Sequence, residues 1–169
     1  MTTSSSPASR PPDLVGPRID AVRLQVPAVP DFLALVRMVV AGTARIDPLL
    51  DDERVDDLRV IVSEACTNAI EASARRAAAE GTAPVIDVEV RLTPSRVEVV
   101  IDDVGGGFDP DDLDILPPVS DPTRMSFERG LGIPLIRALS DEAEIRSGPE
   151  GTRVRAALYA AAPVPPGVP

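Results

Sequence analysis

The chain has 169 residues and a net charge of −10, with three Phe, one Tyr, no Trp and no His. That length fits one domain with tails and can bury a core, which the scarcity of aromatics leaves to Val, Leu, Ile and Ala. The acidity argues against binding a nucleic-acid backbone, whose affinity rests on Lys and Arg. The missing histidine excludes Ser-His-Asp and Cys-His triads, His-containing zinc sites and self-phosphorylation on histidine.

Residues 1–17 are rich in Ser and Pro and read as a disordered tail, as do residues 161–169. The start, MTTSSSPASRPP, has no apolar region of the secretory kind. No run approaches the roughly 20 apolar residues of a membrane span. A cytoplasmic protein with no membrane partner is expected. The single cysteine, Cys66, rules out an internal disulfide.

Between the tails, residues 18–160 form one expected domain. IDAVRLQVPA alternates as a strand. PDFLALVRMVVAGTARI has helical spacing that places Phe32, Leu35, Val36, Val39 and Val40 on one face; Phe32 and Met38 are expected in the core. Pro30 and Asp31 suit its start. DDERVDDLRVIVSEACTNAIEASARRAAAEG is the longest helical pattern, acidic at its start, with Arg75 and Arg76 complementing the macrodipole later and Gly81 as its stop. PVIDVEVRL and RVEVVIDD read as strands joined by a turn. Residues 104–129, rich in Gly, Pro and Asp, form a long loop of the functional or mobile kind. GLGIPLIRALS reads as a helix with Pro134 in its first turn, and DEAEIRS and GTRVRAALYA as closing strands. Antiparallel hairpins with helices on one face make a two-layer α/β (α+β) sandwich.

Three stretches carry candidate chemistry. On the long helix, Leu58, Ile61, Val62, Ala65, Ala69 and Ala72 share an apolar arc, with Glu64 and Asn68 four residues apart at its edge. There Glu64 suits a general base and Asn68 an oxygen ligand for Mg²⁺; taken alone, the pair also fits an ordinary helix boundary. Cys66 points about 200° away from Glu64 and reads as structural. In DDVGGGFD, Asp103 ends a strand and Gly105 and Gly107 follow. Glycines admit a ligand close to the backbone, and a carboxylate accepts a hydrogen bond from an exocyclic amine; a plain turn gives the same pattern. In ERGLGIPLI, Arg129 precedes a helix opening on Gly130 and Gly132, where free N–H groups attract phosphate. Neither a dinucleotide fingerprint nor a G-x-x-x-x-G-K-[ST] loop is present.

Taken together and in this order, VSEACTNAIEAS, IDDVGGGFDP, ERGLGIPLIRALSDEAEI and GTRVRAAL resemble the Bergerat-fold (GHKL) ATPase superfamily. More narrowly, residues 19–160 resemble its serine-kinase anti-sigma factors. The resemblance implies a mixed, mostly antiparallel sheet and a cofactor pair of ATP and Mg²⁺. It assigns Glu64 as the base for the acceptor serine, Asn68 as the Mg²⁺ ligand and Asp103 as the acid on the adenine amine. Gly105 and Gly107 would shape the adenine pocket, and residues 108–129 the ATP lid. Arg129, Gly130 and Gly132 would contact phosphate at the lid end, with Thr152 near adenine. The acidic, proline-rich stretch from Asp111 to Phe127 departs from the pattern, as do Ala72 and Ser73 where many relatives carry His-Ala/Tyr.

The implied function is an ATP-dependent serine/threonine protein kinase that phosphorylates a STAS-type anti-anti-sigma factor and sequesters a sigma factor. Direct nucleic-acid binding is not expected. Relatives commonly dimerise through the early strand and helix, so a homodimer is a further expectation. An ATP-gated partner-binding regulator without kinase activity has nearly the same motif set. A detached sensor-kinase domain fits less well, since its dimerisation helices are missing.

Overall fold

The computed structural model describes residues 20–46, 49–81, 83–107 and 132–160. The expected tails and the expected lid, with Arg129 and Gly130, lie outside them. The elements follow the predicted order: β1 (Asp20–Pro27), a 3-10 turn (Pro30–Phe32), α1 (Leu33–Ala44), α2 (Asp52–Glu80), β2 (Val85–Leu92), β3 (Arg96–Asp103), α3 (Gly132–Leu139), β4 (Glu142–Gly148) and β5 (Gly151–Tyr159). The strands form one sheet in the order β1-β2-β3-β5-β4. Every described ladder is antiparallel, so the mixed sheet sharpens to an antiparallel one.

The sheet owes its two faces to strand alternation. Ile86, Val88, Val90 and Leu92 of β2, Val97, Val99 and Ile101 of β3, and Val154, Ala156 and Leu158 of β5 are buried. Against them lies α2, whose predicted arc of Leu58, Ile61, Val62, Ala65, Ala69 and Ala72 is buried throughout. Asp51 caps the helix by accepting the Arg54 N–H at 2.9 Å, and Asp52 and Glu53 favour its positive end. Gly81 closes it in the left-handed conformation, φ 68°, donating to the Ala77 carbonyl at 2.8 Å. The expected dipole role of Arg75 and Arg76 needs correction. The helix runs to Glu80 and its last turn holds no base; Arg76 donates instead to the Val104 carbonyl at 2.9 Å.

A second correction concerns α1. Val36, Val40, Ala41 and Ala44 are buried, and Phe32 only packs partly against the core. Leu35 is 37% exposed and Met38 65%, so Met38 is not core. α1 packs chiefly on α2 and β2, and so needs only a narrow apolar stripe. Cys66 is buried, and burial pushes its thiol up to about 12 against the opposing pull of Arg37; the thiol is inert.

The outer face of the sheet is polar, organised by Glu98. This carboxylate is 5% exposed and covered by arginines. Arg91 lies at 3.1 Å, Arg155 at 2.9 Å and Arg96 at 3.4 Å. Buried charge is tolerated because it is multiply paired. By contrast, the Ser73 hydroxyl is buried and has no hydrogen-bond partner among the described residues. Ser73→Ala removes an unpaired polar group and is expected to stabilise the chain by about 1 kcal/mol, read as a higher midpoint in urea.

Candidate active site

The helix-facing side of the sheet ends in a row of polar side chains. Asp103 of β3 is the register partner of Thr152 in β5, and Thr152 is the partner of Ser147 in β4. Partners across a ladder point to the same face, so the three stand side by side. The Ser147 and Thr152 hydroxyl oxygens are 3.0 Å apart. Asp103 Oδ1 accepts the Gly105 N–H at 2.7 Å, and the Thr152 backbone N–H favours the charged carboxylate. Burial raises the Asp103 pKa. The two N–H groups and the charge of Arg75 oppose that shift, while Asp102 adds repulsion. A half-buried carboxylate held by backbone donors, with a lone pair left over, is a directional acceptor for an amine.

The glycines after Asp103 bring surfaces together. A Cβ at Gly105 would lie 2.5 Å from the Ala72 Cβ and 2.8 Å from Asp103 Oδ1. Gly107 adopts φ 67°, and a Cβ there would stand 2.2 Å from the Gly148 carbonyl oxygen. The expected pocket-shaping pair therefore sits beside Asp103, one glycine against α2 and the other against the β4–β5 turn.

Glu64 and Asn68 face the start of α3. A Cβ at Gly132 would lie 2.9 Å from Glu64 Oε2 and 3.1 Å from Asn68 Nδ2. Both side chains thus converge on the helix N-terminus, whose free N–H groups carry partial positive charge. The far end of α3 is tied to α2 by Arg54, which donates to the Leu139 carbonyl at 3.1 Å and pairs with Asp141. Glu64 and Asn68 thus meet at Gly132, while Gly105, Gly107 and Thr152 stand around Asp103, and α2 links the two groups through Asn68 and Ala72. Ser147 was not singled out from sequence. The signal for Ser147 was its place one strand residue before the Gly148–Gly151 turn, which sets it opposite Thr152.

A separate groove of about 230 Å³ lies on the outer face around Val100. Its guanidinium groups from Arg91 and Arg155 are engaged by Glu89, Glu98 and Glu142, away from the residues above.

Residues 26–158 match the histidine kinase-like ATPase domain family. The serine-protein kinase RsbW of Bacillus velezensis is 33% identical over 134 residues, covering 76% of this chain and 79% of that one. The Bacillus subtilis serine-protein kinase RsbW is 32% identical over 132 residues, again 76% and 79%. A solved structure of the RsbU and RsbW domains of a Mycobacterium tuberculosis protein shares the fold, with a TM-score of 0.59 at 17% identity. It aligns with 86% of this chain, which spans only 34% of it. Fold and sequence define a histidine kinase-like ATPase domain. Within that class, the chain belongs to the RsbW family of serine-protein kinases.

The raised Asp103 pKa has a consequence for stability. Folding favours the protonated carboxyl, so the stability linked to it is full below the ordinary 3.8 and is lost as pH rises through the folded value. Asp103→Asn is expected to melt at or above the parent's temperature at neutral pH. The gap should close below about pH 4, as followed by thermal melts across pH.

Proposed function

We propose that this chain transfers the γ-phosphoryl group of ATP to a serine of a STAS-type anti-anti-sigma factor. It would also bind a sigma factor, so that the two proteins exchange on it in the cytoplasm. The observation that carries this reading is the convergence of Glu64 and Asn68 on the start of α3, a short reach along α2 from the Asp103 pocket.

The residues fit a magnesium nucleotide. Asn68 offers an amide oxygen, a hard ligand of the kind Mg²⁺ takes alongside phosphate oxygens and water. Bound there, Mg²⁺ would neutralise phosphate charge. Asp103 accepts the exocyclic amine of adenine, and Gly105, packed against Ala72, holds that carboxylate in place. Gly132 lets phosphates approach the α3 N–H groups, which favour anions. Arg129 and Gly130, at the lid end, add phosphate contacts in the same scheme. Glu64 takes the serine proton as the oxygen attacks phosphorus, and the bond to the β-phosphate oxygen breaks to release ADP.

Glu64→Ala is expected to keep ATP binding and to lose phosphoryl transfer by 10²-fold or more. The check is intact mass of the small proteins that co-purify with the tagged chain, before and after Mg-ATP. A partner that gains one phosphoryl group supports the kinase reading. Partners that join or leave with ATP yet never gain mass would establish the ATP-gated binding regulator instead.

The surface also supports self-association. β1 lies at one edge of the sheet, and α1 exposes Leu35, Met38 and, just past its end, Ile46. Exposed apolar groups along one element suit a partner surface, and we assign this one to a homodimer. Met38→Asp is expected to halve the mass seen by light scattering without lowering the melting temperature.

A further inference from the structure

We infer that Ser147 is a positioning residue of the purine pocket, whose hydroxyl fixes the direction of the Thr152 hydroxyl and so favours adenine over 6-oxo purines. This rests on the nucleotide reading above. Asp103, Thr152 and Ser147 stand in one row across β3, β5 and β4. The Thr152 side chain is buried, and its oxygen lies 3.0 Å from that of Ser147.

The argument turns on donors and acceptors. Ionised Asp103 only accepts, so it selects the 6-amine of adenine. The ring nitrogen next to that amine is an acceptor and needs a donor, directly or through one water. A threonine hydroxyl can play either part, because it rotates. When Ser147 donates to the Thr152 oxygen, the Thr152 proton is left to point toward the base. A 6-oxo purine presents the opposite pattern, a carbonyl oxygen facing Asp103 and a ring N–H facing the Thr152 proton. Sites built from oriented hydrogen-bond partners reject such analogues because buried groups are left unpaired. Without Ser147, the Thr152 hydroxyl is free to turn and accept from that N–H.

The test uses the full chain with Mg²⁺, titrated by calorimetry with ATP and with inosine triphosphate. Ser147→Ala is expected to weaken ATP about five-fold, the value of one net hydrogen bond, and to leave inosine triphosphate unchanged or tighter. Ser147→Thr, which keeps the hydroxyl, should restore the parent's ratio. Equal weakening of both nucleotides would mark a merely structural role and overturn the inference, as would unchanged ATP affinity in Ser147→Ala. Failure of the parent chain itself to bind ATP would be a separate result, removing the nucleotide reading and this inference with it.

Discussion

Everything at the site depends on how closely β3 and β5 meet at their shared end. A Cβ at Gly151 would fall 1.9 Å from the Asp103 carbonyl oxygen, and its φ of 139° suits glycine alone. No other residue permits the first residue of β5 to pass under the last of β3. That contact sets the register that puts Thr152 opposite Asp103 and Ser147 beyond it. Gly105 and Gly107 repeat the device on either side, pressing the loop against α2 and the β4–β5 turn. The surroundings of Asp103 are thus set by backbone proximity, with Thr152 and Ser147 aimed by the ladder.

The charges are arranged in two different ways. On the outer face, Glu98 is satisfied by its arginines and gives stability and order. On the helix face, burial leaves Asp103 with a raised pKa. Perturbed groups of this kind gather where a ligand is to complete the set. The free protein carries that cost, which is offset by the aliphatic core beneath.

Much of this was legible in the chain. Period-two and period-3.6 patterns located the five strands and three helices, because the core is aliphatic and β2, β3, β5 and α2 each bury an apolar face. Glu64 and Asn68 were singled out by their spacing of four at the edge of the apolar arc of α2, and Asp103 and the glycines by their places at element ends. The exposure of Met38 was not. Helical periodicity says which residues share a face, but not how much of that face a neighbour covers. Nor was Ser147 legible, since its partner comes from strand register and not from sequence spacing. Arg76 read as a dipole partner because the helix was given no third dimension; the Val104 carbonyl it meets is 28 residues away. The ring of arginines on Glu98 escaped notice for the same reason, being drawn from three strands.

The burial of Cys66 has a consequence for what this protein can sense. Its thiol, pushed up to about 12, neither ionises nor reacts under ordinary conditions, and the chain holds no imidazole. Side chains that usually report acidity or redox state near neutral pH are therefore silent here. Neither thiolate chemistry nor imidazole protonation is therefore on hand to switch the folded chain near neutral pH.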